Sequence, residues 1–353
     1  MFPSKRIVSL LAASSVLVIS AVESASAQEP PKPQTIVVNS SGGAVNKALR
    51  KAYFEEYEKR YGIRVIDTSP ADTSKLRAMV ESGNVQWDVT EIPGQDGLLA
   101  VKLNLLEPID HKIVNLSEFP DHVRNSKFLF PRSIYSTVLA YRTDVFANKP
   151  RPKTWAEFWD VKKFPARRSL RNHPIDNLEY ALLADGVAPD KLYPLDVDRA
   201  FRKLDQIKPH IAVWWTAGAQ PAQLLVDGEV DLATGWNGRF YDVKVKGAPI
   251  AIEWNGGAIK ESHFGIPRGA KNNYWSQKML AIMAEAKLQA IYANELAYPG
   301  LNLESVKFVK PEVQPELVTY PEHLKKQFFI SLEWWTENGP AMQERWNRWM
   351  LGK

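Results

Sequence analysis

The turn Gly235-Trp236-Asn237-Gly238-Arg239 places an indole, an amide and a guanidinium on one short loop. An apolar run, Val230–Thr234, comes before this turn and is predicted to be a strand. A helix is predicted directly after it, over Phe240–Lys246. Because α/β sheets hold ligands beyond the carboxyl ends of their strands, we expect this turn to face a small polar ligand.

Arg239 carries the strongest chemical signal of the turn, since its planar guanidinium matches the geometry of a carboxylate. An ion pair with Asp242 or with Glu253 is an equally good use of the same charge. The sequence leaves the choice between a ligand and an internal partner open.

Polar groups also stand near the ends of other predicted elements. Ser40, Ser41 and Gly42 follow a predicted strand, and their hydroxyl and backbone N–H groups suit an anionic or polar ligand group. Asp88 comes just before a strand and Asp176 just before a helix, and either carboxylate suits a ligand cation. Each stretch has a structural alternative as a capping turn, a helix N-cap or a salt bridge.

Trp214 and Trp215 are adjacent on a predicted strand, so their indoles point to opposite faces of the sheet. At most one of them lines a given cleft, and the other belongs to a core. An indole face attracts a desolvated ammonium by about 0.5–2 kcal/mol, which makes one of the two a candidate for binding an amine.

Motifs of common enzymes are missing from the sequence. It contains no G-x-S-x-G, H-E-x-x-H or G-x-G-x-x-G motif, and its six histidines show no metal-ligand spacing. There is no cysteine, which excludes disulfides and thiolate chemistry. The basic residues are scattered, which disfavours nucleic acid as a partner. We therefore expect a binding protein rather than an enzyme, without cofactor or metal.

Residues 1–27 have the pattern of an export signal. Lys5 and Arg6 precede an apolar stretch, which ends in the cleavage pattern Ala25-Ser26-Ala27. The stretch is short for a membrane span, and a Pro-rich linker follows at 28–34. We expect cleavage after residue 27 and a periplasmic protein.

The rest of the chain contains two series of alternating strands and helices. The first series has strands near 35–39, 63–66 and 87–92, and the second begins after a turn at 148–152. Between them, Ser133–Arg142 is a long β-rich stretch without a turn signal. Such alternation favours parallel sheets with right-handed crossovers, joined here by a strand long enough to pass between two lobes.

An ordered series of short phrases resembles the periplasmic solute-binding proteins of ABC importers, in particular the spermidine/putrescine-binding branch. The phrases are GEV at 228–230, WNG at 236–238, GAPI at 247–250, IP at 266–267, GAKN at 269–272 and YP at 298–299 with Asn302. Trp155, in PKTWAEFWD, fits the P-x-x-W element of the family. The resemblance covers nearly all of the chain after the export signal.

The resemblance implies an α/β, two-lobed type II periplasmic-binding-protein fold. Each lobe would be a mainly parallel sheet flanked by helices, with the ligand cleft between the lobes. We assign residues 35–141 and 260–305 to lobe 1, and residues 142–259 and 306–353, with C-terminal helices, to lobe 2. Closure is expected as a hinge motion about Tyr135–Arg142 and Glu253–Ile259.

Several site residues follow from the resemblance. Trp236 matches an indole that stacks on the ligand, and Asp176 matches an acidic position that contacts amines. The loop Ser40–Gly43 and the turn Pro93-Gly94-Gln95 match loops that line the cleft.

Departures from the family pattern bear on the ligand. Ser262 stands where the family has an acid, and His173 replaces another acid. Fewer acids and a guanidinium at Arg239 weaken the case for a long polyamine, because a buried ammonium needs a counter-charge. A zwitterion would place its carboxylate on Arg239 and its ammonium on Asp88 or Asp176.

We predict the substrate-binding component of an ABC transporter that imports a small amine-containing solute, such as putrescine or spermidine. We expect a monomer that delivers its ligand to an inner-membrane permease. The alternative ligand is a zwitterionic γ-amino acid such as γ-aminobutyrate. Two other classes remain: an exported hydrolase that uses cleft carboxylates, and a metal- or anion-capturing relative that uses Tyr292 and Tyr298.

Overall fold

The computed structural model describes residue 1 and residues 29–352, so the predicted export signal lies outside the described residues. Residues 1–31 and 32–353 form separate compact units, and all the elements below belong to the second unit. Among the helices of the described residues, none is long and apolar enough to cross a membrane.

The strands are β1 (Thr35–Asn39), β2 (Arg64–Thr68), β3 (Val89–Pro93), β4 (Leu106–Glu107), β5 (Phe130–Arg142), β6 (Arg168–Arg171), β7 (Ile211–Trp215), β8 (Leu232–Trp236), β9 (Ile250–Pro267) and β10 (Phe328–Phe329). The helices are α1 (Ala44–Leu49), α2 (Glu55–Tyr61), α3 (Thr73–Glu81), α4 (Gly94–Lys102), α5 (Asp121–Arg124), α6 (Trp155–Trp159), α7 (Asn177–Ala184), α8 (Val197–Ile207), α9 (Gln220–Val226), α10 (Asn237–Lys244), α11 (Asn273–Met283), α12 (Ala286–Leu296), α13 (Pro321–Leu324) and α14 (Leu332–Met350). A π-helical turn, Arg50–Phe54, joins α1 to α2.

Two parallel groups of strands are joined by a long antiparallel pair. The order across the sheet is β2-β1-β3-β9-β5-β8-β6-β7. β1, β2 and β3 run parallel and form the first sheet half, while β6, β7 and β8 run parallel and form the second sheet half. β5 and β9 run antiparallel to each other between these halves, so two of the chain's connections pass through the middle of the molecule.

Each sheet half has its own apolar core. α1, α2, α11 and α12 cover the first half, and Tyr53, Phe54 and Trp275 are fully buried there. α6, α7, α8 and α14 cover the second half. Trp346 is fully buried against this core, with Met342, Trp349 and Met350 beside it.

Gly256 lies within the 18-residue strand β9, whose pairing with β5 jumps between Thr137 and Leu139 to absorb the extra residues. Gly256 adopts a positive φ of 69° there, and its carbonyl accepts a hydrogen bond from the Trp155 indole at 2.8 Å. Further along the chain, α11 and α12 are two separate helices, and the C-terminal helix α14 continues through Pro340.

Candidate functional site

A cavity of about 370 Å³ opens where the carboxyl ends of strands from both sheet halves converge. Its walls are Ser41, Val45, Pro70, Ala71, Glu91, Pro93, Arg132, Tyr135, Arg171, Thr216, Ala217, Gly218, Trp236, Ser262 and Tyr298. β1, β2 and β3 end at this cavity on one side, and β6, β7 and β8 end at it on the other. This is the position at which α/β sheets bind ligands, and the volume lies in the range of small-molecule sites.

Glu91 is the carboxylate of the cavity wall, and neighbouring side chains hold it in place. Ser41 donates to it twice, from the backbone N–H at 2.8 Å and from the hydroxyl at 2.7 Å. Arg132 donates to Oε1 at 3.0 Å, and the hydroxyl of Ser262 lies 3.3 Å from the same oxygen. Glu91 is 6% exposed, so its charge is compensated inside the protein and directed at the cavity.

Arg132 is the cation that balances Glu91. Besides this carboxylate, it donates to the Ser262 hydroxyl at 2.9 Å and to the Tyr292 hydroxyl at 3.0 Å. Its Nε is buried without a hydrogen-bond partner among the described residues.

Arg171 is a second guanidinium in the wall, and it comes from the opposite sheet half. Its Cζ lies 5.6 Å from the ring centroid of Trp215 and 5.7 Å from that of Trp236. The two indoles meet edge to face at 5.9 Å. No carboxylate within the described residues forms a salt bridge with Arg171, so the charge is free to meet an anionic group.

Aromatic rings line the rest of the cavity. Tyr135 packs edge to face against Trp236 and against Tyr298, each at 6.1 Å between centroids. Burial raises the pKa of Tyr135 and of Tyr298, so both phenols stay neutral and keep their hydroxyl protons. These walls suit a short hydrocarbon chain carrying charged ends.

Gly218 allows the indole of Trp236 to pack directly against the backbone of the turn at residues 216–218. A side-chain carbon at position 218 would overlap the benzo ring of Trp236. The turn of residues 216–218 therefore closes directly on the indole and shapes that wall of the cavity.

Ser41, Trp236 and Ser262 are the predicted site residues that line the cavity. Ser40 and Gly42 stand beside it but are used within the protein. The Ser40 hydroxyl donates to the Asn46 side chain, and the Gly42 carbonyl accepts from Arg239. The contact of any of these residues with a ligand stays a prediction.

Arg239 points neither into the cavity nor towards Asp242. Its Nη2 donates to the Gly42 carbonyl at 3.1 Å, and the side chain is 4% exposed. Asp242 pairs with Lys246 instead, and Glu253 pairs with Arg151. Arg239 was expected to hold a ligand carboxylate, but it is not among the residues that line the cavity. Arg132 and Arg171 are the arginines in its wall.

Asn237 is also committed to the protein. Its amide oxygen accepts from the backbone N–H of Ser136 at 3.0 Å, and its amide nitrogen donates to the Ala297 carbonyl at 3.1 Å. Asn237 thereby fixes the start of α10 against β5 and the end of α12.

Neither predicted acid lies in the cavity wall. Asp88 stands at the amino end of β3, opposite the cavity end, and accepts from the Val37 N–H at 2.8 Å and from Asn272 at 3.0 Å. Asp176 is buried and forms an ion pair with Lys260. Asp88 lies at the opposite end of β3 from the cavity, and the charge of Asp176 is neutralised by Lys260.

The two adjacent tryptophans separate as the strand geometry requires. Trp214 packs edge to face on Trp346 and Trp349 of α14, at 5.7 and 5.8 Å. Trp215 is 1% exposed and supports Trp236 from behind. Gln95 belongs to α4, and its side chain lies outside the described part of the structure.

The sequence prediction missed Glu91, Arg132 and Arg171. All three are charged residues within or at the end of a β-strand, in VTEIP, FPRSIY and RSLR. A charge inside an otherwise apolar strand must be paired or must face a polar site. That rule was the available signal for all three residues.

Metal capture by tyrosines has no support in this geometry. Over residues 29–352, no cluster of three or more histidine, aspartate or glutamate side chains is placed to hold a metal ion. Tyr292 is fully buried and accepts from Arg132, and burial raises its pKa to about 12. Its phenol is therefore protonated at neutral pH and serves inside the protein as the acceptor for Arg132.

The chain belongs to the family of bacterial extracellular solute-binding proteins, whose model matches residues 52–323. It is 32% identical to the gamma-aminobutyric acid-binding protein of Pseudomonas aeruginosa, over 90% of this chain and 91% of that protein. It is 25% identical to the spermidine/putrescine-binding periplasmic protein of Escherichia coli, over 81% and 83% of the two chains.

The fold is that of a two-lobed periplasmic binding protein. It superposes with a TM-score of 0.84 on PBP AgtB from A. tumefaciens R10, solved in complex with agropinic acid. The two proteins are 32% identical, with coverage of 90% of this chain and 98% of the other. The chain is therefore a solute-binding component of an ABC transporter, which confirms the predicted class and fold, and its relatives are binding proteins rather than enzymes.

Proposed function

We propose that this protein captures a zwitterionic amino compound of the γ-amino acid type and delivers it to an ABC permease. The observation that carries this proposal is the charge of the cavity wall. Two guanidiniums, of Arg132 and Arg171, face one carboxylate, that of Glu91. A ligand with one carboxylate and one ammonium matches this arrangement.

The ligand carboxylate is assigned to the two guanidiniums. Arg171 has no salt-bridge partner within residues 29–352, and Arg132 lines the same cavity. Hydrogen bonds to charged groups contribute about 1.5–3 kcal/mol each, and guanidinium forks suit carboxylates. These two residues come from strands on different sides of the cavity, so one carboxylate can hold both sides together.

The ligand ammonium is assigned to Glu91 and to the aromatic walls. Glu91 is held in position by Ser41 and Arg132, so it needs no reorganisation to receive a cation. The face of the Trp236 indole adds cation–π attraction of about 0.5–2 kcal/mol.

This arrangement favours the γ-amino acid alternative over the polyamine expected first from the sequence. A polyamine would bring at least two ammonium groups into a cavity that has one carboxylate and two cations in its wall. An uncompensated buried charge costs several kcal/mol. The gamma-aminobutyric acid-binding relative is also more similar to this chain than the spermidine/putrescine-binding relative is.

The location of the protein and the closure of its lobes are proposed by analogy with the family. We place the protein in the periplasm, after removal of residues 1–27. The lobes at 35–141 with 260–305 and at 142–259 with 306–353 close by bending of β5 and β9, the two strands that cross between the sheet halves. Closure is favoured by ligand because only the closed form brings both guanidiniums to one carboxylate.

Thermal-shift and calorimetric titrations of the mature chain test the proposal. γ-Aminobutyrate and longer ω-amino acids should raise the melting temperature, while putrescine, spermidine and glucose should not. The proposal fails if spermidine or glucose binds and no amino acid does.

A further inference from the structure

Lys260 forms a buried ion pair directly beside the cavity. Its ammonium contacts the Asp176 carboxylate, and it also donates to the Thr137 hydroxyl at 2.6 Å. The same hydroxyl donates to Asp176 at 2.9 Å, which closes a three-membered ring of hydrogen bonds. The Lys260 and Asp176 side chains are each 1% exposed.

The strand registers place this ion pair on the face of the sheet that forms the cavity floor. Lys260 stands two residues before Ser262 on β9 and directly opposite Tyr135 on β5. Thr137 stands opposite Trp236 on β8. Side chains two apart on a strand, or directly opposite on neighbouring strands, share a face. Ser262, Tyr135 and Trp236 all line the cavity, so Lys260 is continuous with its floor.

The ring of Tyr135 contacts both the ion pair and the cavity. The Lys260 ammonium lies 5.5 Å from the centroid of that ring. A ligand ammonium on the other face of Tyr135 would meet the positive charge of Lys260 through the ring, with Arg171 also nearby.

We propose that Lys260 is a specificity-determining residue. Its ammonium pairs with the Asp176 carboxylate, so this carboxylate is not available to a ligand and ligands with a second ammonium are excluded. Asp176 without Lys260 would be a buried carboxylate beside the cavity, which is the group that a diamine requires. The internal ammonium leaves Glu91 as the acid available to the ligand. This inference rests on the proposed function, because it explains why a ligand with one ammonium is preferred.

Chemical rescue of Lys260→Ala tests this inference. Truncation removes three methylene groups and the ammonium, and n-propylammonium has the same carbon and nitrogen atoms. We expect n-propylammonium chloride, at about tenfold its Kd, to raise the melting temperature of the variant by about 2–4 °C. The wild-type protein and the Lys260→Ala/Asp176→Asn double variant should not respond. Where Lys260→Ala does not fold in buffer, its refolding yield with and without n-propylammonium gives the same readout.

Putrescine binding by the same variant gives the functional readout. We expect Lys260→Ala to bind putrescine at least about tenfold more tightly than wild type does, since one ammonium can then reach Asp176 and the other Glu91. Lys244→Ala, which removes a lysine from the Lys244–Glu316 pair away from the cavity, is the matched control and should leave putrescine affinity unchanged.

The outcomes separate this inference from the proposed function. No response of Lys260→Ala to n-propylammonium, or an equal response of the double variant, would overturn the role of Lys260. The rescue requires no γ-amino acid, so it stands or falls independently of the wild-type titration with γ-aminobutyrate. If wild type fails to bind γ-aminobutyrate while rescue succeeds, the ligand assignment is wrong and the internal ammonium remains.

Discussion

The Arg132 guanidinium on β5 and the Glu91 carboxylate on β3 meet across the intervening strand β9, with 3.0 Å between Nη2 and Oε1. Ser262 of β9 contacts both groups, at 2.9 Å from Arg132 and 3.3 Å from Glu91. One ion pair thereby ties three neighbouring strands together at the cavity. The same two residues hold opposite ends of the proposed zwitterion, so stability and ligand binding are coupled at this point.

Glu91→Gln should weaken both folding and binding. The variant leaves Arg132 buried with a neutral partner, and breaking a buried ion pair costs about 3–5 kcal/mol of unfolding free energy. Loss of the counter-charge for the ligand ammonium should lower γ-amino acid affinity by roughly 10–100-fold. Urea unfolding and calorimetry measure the two effects. Glu316→Gln, in a half-exposed pair with Lys244, is the control and should change neither quantity appreciably.

Arg171→Ala should weaken binding with little effect on stability. Arg171 is half-buried and has no salt bridge within residues 29–352, so its removal leaves no buried charge unpaired. We expect γ-amino acid affinity to fall by roughly 10–100-fold. Arg77→Ala, in an exposed pair with Glu81, is the matched control. Wild-type affinity in the Arg171→Ala variant would contradict the assignment of the ligand carboxylate.

Gly218→Ala should displace the Trp236 indole. The added methyl group would overlap the benzo ring, so either the turn of residues 216–218 or the indole must move. We expect at least about tenfold weaker ligand binding and a changed tryptophan fluorescence response to ligand. Gly339→Ala is the control: position 339 lies inside α14, where the methyl group makes ordinary contact and alanine should stabilise by about 0.5–1 kcal/mol. Unchanged affinity in Gly218→Ala would contradict the prediction, because it would show that the methyl group is accommodated without a change in ligand binding.

Glu179 should make stability depend on pH. It is fully buried in α7, and its Oε1 accepts from the Tyr193 hydroxyl and from the Trp335 indole, each at 2.7 Å. Burial raises the pKa of Glu179 from its ordinary value of 4.5 to about 7. The folded state therefore holds a proton that the unfolded state has already released. The stabilisation from Glu179 is complete below pH 4.5 and is lost as the pH rises through about 7.

Glu179→Gln provides the measurement, since the amide keeps an oxygen acceptor and removes the titration. Unfolding free energies at pH 5 and pH 8 should differ less in the variant than in wild type. The advantage of the variant should appear at pH 8. A wild-type pH dependence retained in full by Glu179→Gln would assign the effect to another group.

The sequence by itself determined the class of fold and the order of strands and helices along the chain. Alternating apolar runs and capping residues predict the two βα series, because hydrophobic period and turn chemistry are local properties. They also predicted Trp236 beyond the end of a strand; in the structure it is the last residue of β8, and it does line the cavity. The ordered family phrases correctly indicated a solute-binding protein.

Only the tertiary structure decided which charges face the ligand. Arg239 and Asp176 have the right chemistry for binding, but Arg239 donates to the Gly42 carbonyl and Asp176 pairs with Lys260, partners that lie 197 and 84 residues away in the chain. Glu91 and Arg132, 41 residues apart, become a cavity wall because β9 lies between their strands. The sequence shows which side chains are charged. Whether such a charge is paired inside the protein depends on which strands become neighbours. For this reason the sequence alone left the diamine and the γ-amino acid alternatives open.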